Sequence, residues 1–148
     1  MQLTSTAFGD QEPIPPRHSC DGANVAPPLA WRDVPGDAVS LAIVCLDPDA
    51  PGGTFTHWTI WNLDPTLPGL GEGEVPSSAE QGRNSFGDLG YGGPCPPPGH
   101  GVHHYQFQLV ALRAPLGVRP GSDPEAVQAA CAQHELARTE CVGSYERR

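Results

Sequence analysis

The chain contains no lysine. Its eight basic side chains are all arginine, set against 17 Asp and Glu, which gives a formal charge of −9. Such a balance disfavours nucleic acid and anionic membrane as partners held by bulk charge. It leaves open a local anion site made of backbone N–H groups and imidazoles. No two cysteines are spaced Cys-x-x-Cys, which argues against a zinc cluster. No GxSxG, Walker or GxGxxG pattern occurs, which removes the commoner hydrolase and nucleotide-binding readings. There is no His-x-His or HExxH arrangement for a metal, and the expectation is no cofactor and no metal. The opening Met1–Thr6 has no basic segment followed by an apolar run, so neither a signal peptide nor a transmembrane segment is expected. The five cysteines, Cys20, Cys45, Cys95, Cys131 and Cys141, are an odd number, which suits a reducing compartment; the expected location is cytoplasmic. Cys45 in an apolar run and Cys131 in an alanine-rich segment read as small core residues.

Glycine and proline are abundant, with 18 of each in 148 residues. Apolar runs separate their clusters, so the pattern predicts many short strands joined by tight turns, in a single domain spanning residues 1–148. Residues 2–8 read as an edge strand. Residues 10–30 are a long irregular stretch whose end Trp31 anchors. Val39–Leu46 is a continuous run of strand length, apolar but for Ser40, the mark of a strand buried on both faces. It stops at Asp47-Pro48-Asp49-Ala50-Pro51-Gly52-Gly53, where Pro51 is a candidate for a cis bond.

Thr54–Leu63 is the next strand. Strict alternation puts Phe55, His57, Thr59 and Trp61 on one face and Thr56, Trp58, Ile60 and Asn62 on the other. Residues 64–86 read as a surface excursion with a short strand near Gly73–Val75. The loop Gly90–Gly101 cannot be helical, because proline removes donors and glycine opens positive φ. It feeds a strand whose odd positions, His103, Tyr105, Phe107, Leu109 and Ala111, turn from polar to apolar. Its even positions begin His104, Gln106, Gln108. A helix over 124–137 opens on Ser122-Asp123-Pro124-Glu125, and a last short strand covers 140–145.

Antiparallel pairing of the two strands around Asp47–Gly53 brings Asp47 and Asp49 near His57. His103 and Tyr105 open the later strand. Taken singly, each has a structural explanation: an Asp after a strand forms turns, and a strand histidine is commonly a satisfied polar group. Together they resemble the few convergent polar groups of a pocket. Two histidines and a carboxylate could hold a metal. Cys95 with His57 or His103 could form a thiol dyad, though Pro94 and Pro96 do not resemble the helix N-terminus that stabilises a thiolate. The third reading is an anion site in which Asp47 orients a histidine and favours its cationic form.

Asp47-Pro48-Asp49-Ala50-Pro51, Phe55-Thr56-His57-Trp58, and Gly93-Pro94-Cys95-Pro96-Pro97 before His103-His104-Tyr105 resemble the phosphatidylethanolamine-binding protein family. The closer similarity is to its bacterial branch of Raf kinase inhibitor-like proteins. Leu3-Thr4-Ser5, Cys20-Asp21-Gly22, Pro27-Pro28-Leu29 and Gly82-Arg83-Asn84 before Phe86-Gly87 extend the resemblance over the chain. It implies a mainly β protein: a central antiparallel sheet packed on a smaller one, with a C-terminal helix. It implies a non-enzymatic pocket for a small anion, phosphate or a phospholipid head group, lined by Asp47, Asp49, Phe55, His57, His103 and Tyr105. The Cys95 peptide would contribute its N–H, and His100 would be a surface residue. It also implies Ala50–Pro51 as the cis candidate. Kinase or protease inhibition, as in eukaryotic members, is the alternative reading. A homodimer is a lesser expectation, since the Trp58/Ile60/Trp61 run exceeds what one core needs.

Overall fold

In a computed structural model describing all residues 1–148, two sheets pack face to face. The larger has six strands: β2 (Glu12–Pro13), β4 (Ser40–Asp47), β5 (Phe55–Leu63), β7 (Glu80–Gln81), β8 (His103–Leu112) and β9 (Glu135–Tyr145). Their order is β2-β9-β8-β4-β5-β7. The smaller sheet has β1 (Gln2–Thr4), β3 (Leu29–Arg32) and β6 (Gly69–Leu70), in the order β1-β3-β6. Every pairing is antiparallel except β2 with β9 at the edge. The fold is mainly β with one α-helix, α1 (Pro124–His134).

β4 lies between β5 and β8, and the apolar run 41–45 is buried throughout. Leu41, Ile43 and Cys45 face the smaller sheet, in one cluster with Leu3, Leu29, Trp31 and Leu70. Ala42 faces the other way, into a separate cluster with Trp61, Val110, Leu112, Val127 and Cys131 beneath α1.

Alternation fails on β5, and the failure matters. Cys45 pairs with Trp58 and Leu46 with Thr56, so His57 is the extra residue of a β-bulge. A second irregularity follows between the Leu41–Leu63 and Ile43–Ile60 pairs, where Asn62 takes φ 58°. The bulge resets the parity. Trp58, Ile60 and Leu63 face the sandwich core, while Trp61 faces α1. Phe55, paired with Asp47, lies on the core side, so it no longer shares a face with Thr59 and Trp61.

Other expectations need correction. α1 ends at His134, and β9 is 11 residues long where a short strand over 140–145 was expected. β9 pairs with β8 along its length, from His103↔Tyr145 to Leu112↔Glu135, and this ladder claims residues that the helical spacing had suggested. The surface excursion supplies β6 and β7 rather than a strand at 73–75. There is no cis peptide bond. The turn after β4 closes instead through Gly53, at φ 107°, whose N–H donates to the Ala50 carbonyl at 3.1 Å. Trp58, Ile60 and Trp61 are all buried within the single chain, so that run gives no ground for a dimer. No helix is long and apolar enough to cross a membrane.

Candidate functional site

The end of β4 and the beginnings of β5 and β8 meet at one edge of the central sheet, as antiparallel pairing requires. There they enclose a cavity of ≈ 190 Å³. That is small beside the roughly 300–1,000 Å³ of a typical small-molecule pocket, and suits a compact group. Asp47, His57, His103 and Tyr105 line it and are each at least 97% buried. Phe55, Phe86, Ala50, Pro51, Pro96 and Pro97 form its apolar walls, and Cys95 completes it.

A buried carboxylate is costly unless its oxygens are hydrogen-bonded. Asp47 Oδ1 accepts the Asp49 N–H at 2.7 Å, and Oδ2 accepts from His103 Nδ1 at 2.6 Å. That bond puts the imidazole proton on Nδ1 and orients the ring. His103 Nε2 lies 2.7 Å from His100 Nδ1, giving a chain from the buried carboxylate to an exposed imidazole. His100, expected to be a bystander at the surface, is therefore part of the site's hydrogen-bond network.

His57 is held differently. Its Nδ1 donates to the Gly92 carbonyl at 2.6 Å, and the Gly92 N–H donates to the His57 carbonyl at 2.9 Å. This reciprocal clamp requires the 90–96 loop to lie against β5. A Cβ at Gly92 would come within 2.6 Å of the Phe86 ring, and one at Gly93 within 2.2 Å of the His18 carbonyl oxygen. The two glycines are there for close approach. Burial pushes the His57 pKa down, against the smaller raising effects of the Gly92 carbonyl and Asp47. That direction is opposite to the cationic histidine that the sequence suggested. Neutral His57 therefore carries its proton on Nδ1 and turns a lone pair, at Nε2, away from the clamp.

The Tyr105 ring lies 5.1 Å from that of His57, edge to face. Its hydroxyl is fully buried and has no hydrogen-bond partner in the protein. Burial, then the charge of Asp47, raises the Tyr105 pKa far above the usual phenol range, so it stays an O–H donor. The Cys95 backbone N–H likewise donates to no protein acceptor.

Two expected residues act otherwise. The Cys95 thiol is not free but is bonded to Cys20, 75 residues away. A thiol dyad is thereby removed, and so is one of the grounds for a reducing compartment, because disulfides mark oxidising ones. Asp49 is outside the cavity. Its Oδ2 accepts from the His104 N–H at 2.9 Å and from His104 Nδ1 at 2.8 Å, which lowers its pKa. It shapes the turn that holds Asp47. No three His, Cys, Asp or Glu side chains are grouped to hold a metal ion.

Phe86 was missed as a wall. It stacks edge-on against Phe55 at 4.7 Å and His57 at 5.4 Å between centroids. Asn84 builds its loop: the side-chain oxygen accepts the Phe86 and Asp88 N–H groups, and Nδ2 donates to the Gly90 carbonyl. An Asn three residues after Gln81, with Gly87 and Gly90 following, was the available signal.

Residues 4–146 match a family model described as phosphatidylethanolamine-binding protein. A UPF0098 protein of Methanothermobacter thermautotrophicus is 47% identical over 152 residues, covering 99% of each chain. Another, of Pyrococcus abyssi, is 46% identical over all of this chain and 86% of its own. The crystal structure of Escherichia coli YbcL, described as a new member of the mammalian PEBP family, superposes with a TM-score of 0.94. It is 35% identical and the match covers 99% of this chain and 98% of that one.

Proposed function

The chain belongs to the phosphatidylethanolamine-binding protein family, in its bacterial and archaeal UPF0098 branch, and from that premise we propose that it is a non-enzymatic binding protein for a small oxyanion. The cavity framed by Asp47, His57, Cys95, His103 and Tyr105 is the site. The observation that carries this reading is the Tyr105 hydroxyl, buried at the cavity and without a partner. A buried donor left unmade costs about 1–3 kcal/mol, a cost an incoming oxygen acceptor removes. The Cys95 N–H is a second donor, and Phe55 and Phe86 set apolar walls beside the donors.

Asp47 is a positioning residue. Through His103 it fixes one wall of the cavity, and through the Asp49 N–H it fixes the turn that carries Pro51. The Cys20–Cys95 bond holds the other wall to the loop that follows the Pro16–His18 helical turn. That loop is itself braced, since the Tyr145 hydroxyl donates to Asp21 at 2.5 Å and Arg147 pairs with Asp21 at 3.2 Å.

The test is a titration of inorganic phosphate into the full chain, followed through the imidazole resonances of His57 and His103 by NMR. Saturable shifts at both rings are expected, with much weaker binding in Tyr105→Phe. Rings undisturbed at millimolar phosphate contradict the reading. A kinase or protease partner, the alternative carried by resemblance, predicts that a captured partner is lost with Asp47→Asn.

A further inference from the structure

The donors and acceptors around the cavity do not suit a fully ionised anion. On the donor side are the Tyr105 hydroxyl and the Cys95 N–H. On the acceptor side are two groups. His57 Nε2 must accept, because the Gly92 carbonyl at 2.6 Å already takes the Nδ1 proton. The Asp47 carboxylate accepts one bond at each oxygen and has lone pairs to spare. His103 cannot redress the balance, since its Nδ1 faces Asp47 and its Nε2 faces His100. No arginine lines the cavity, and the chain has no lysine. An oxyanion made only of acceptors would thus meet a lone pair and a carboxylate with no cation among the residues that line the cavity.

We propose that this cavity takes its oxyanion together with one proton: its ligands are hydrogen phosphate, which keeps a P–OH across neutral pH, and phosphomonoesters in their singly protonated form, and it discriminates against sulfate and phosphodiesters. The P–OH donates to His57 Nε2 while the remaining oxygens accept from Tyr105 and Cys95. The proposal rests on the anion-site reading and narrows it. A phospholipid head group is a phosphodiester and has no hydroxyl to give.

The other way to bring a proton is to charge His57. Burial opposes that, and the ionisable groups facing the ring are Asp47 from β4 with His103 and Tyr105 from β8; the 84–93 segment presents only Phe86 and the Gly92 and Gly93 backbone. Sulfate separates the two routes, because it is isosteric with phosphate but holds no proton near neutrality. Were His57 the proton carrier, sulfate would bind as well as phosphate.

The experiment is calorimetric titration of the full chain at pH 6 and pH 8 with inorganic phosphate, sulfate, phosphoethanolamine and glycerophosphoethanolamine, in buffers of contrasting ionisation enthalpy. At pH 6 phosphate is expected to bind at least about tenfold tighter than sulfate, and phosphoethanolamine about tenfold tighter than its diester. At pH 8 phosphoethanolamine, whose phosphate is a dianion there, should take up close to one proton on binding and lose about tenfold in affinity per further pH unit, whereas inorganic phosphate, which already carries its proton as the hydrogen phosphate dianion, should bind without uptake. In His57→Phe the preference for phosphate over sulfate should collapse. Equal affinity for phosphate and sulfate, phosphoethanolamine binding at pH 8 without proton uptake, or a preference that survives in His57→Phe overturns the proposal and leaves the anion site standing. Failure of all four ligands to bind overturns the anion site as well.

Discussion

The two ends of β8 solve opposite problems on one strand. From Leu109 to Leu112 every side chain is fully buried: Leu109 and Ala111 against the sandwich core, Val110 and Leu112 beneath α1. From His103 to Gln108 only the core-facing positions are buried, the other face is open, and the first two core-facing residues are polar. One end is sealed by apolar contact on both sides. The other spends burial on Asp47, His57, His103 and Tyr105, which are satisfied by each other and by backbone except where the Tyr105 hydroxyl is left over. The helix covers one end, and a disulfide and a pair of glycines shape the other. Stability is concentrated at the sealed end and unmet hydrogen-bonding capacity at the open one, as expected where function is bought with local stability.

If that division holds, changes at the sealed end should move stability alone. Trp61→Ala, which empties the cluster under α1, should cost about 3–5 kcal/mol in urea denaturation while the phosphate-to-sulfate ratio of the folded fraction stays fixed. Breaking the disulfide with Cys20→Ser should cost about 2–5 kcal/mol, since the bond closes a loop spanning 75 residues. This change lies at the open end, so phosphate affinity should fall with it, by titration of the folded protein.

Tyr105→Phe sharpens the contrast. It removes an unpaired buried hydroxyl, so thermal stability should hold or rise, while phosphate binding weakens by about 1.5–3 kcal/mol, the value of a hydrogen bond to a charged group. Thr59→Val is its control. The Thr59 hydroxyl is also buried and unpartnered but does not line the cavity. Stability should rise by about 1 kcal/mol with no change in binding.

The smallest effect is on pH. The pKa of His57 is depressed in the folded chain, so the stability it protects is fully present above its ordinary value of about 6.5 and is lost as pH falls through the folded value. Acid unfolding should be flatter in His57→Phe than in the native chain.

Much of this was legible. Val39–Leu46 read as a doubly buried strand because Ser40 is its one polar residue, and β8 declared its facing through the turn from His103 to Ala111. The approach of Asp47 to His57 followed from antiparallel pairing alone, while His103 was only another polar strand end that the family resemblance put in the same pocket. What was lost has physical reasons. A bulge is a property of two paired strands, and nothing in 54–63 announces that His57 is the unpaired residue, so its parity failed. The Cys20–Cys95 bond joins two proline-rich loops with no period to align them. The 135–137 segment was read as helix because its ladder partner, the far half of β8, decides it, and local propensity does not. His100 looked like a surface residue, and it is exposed, yet its ring nitrogen meets His103.

The most direct measurement is a crystal structure of the full chain with inorganic phosphate. The account expects a tetrahedral anion in the cavity of β4, β5 and β8, with one oxygen within hydrogen-bond distance of the Tyr105 hydroxyl, another at the Cys95 N–H, and a third facing His57 Nε2. Phosphate bound elsewhere, with the Tyr105 hydroxyl still unpartnered by it, would contradict the account.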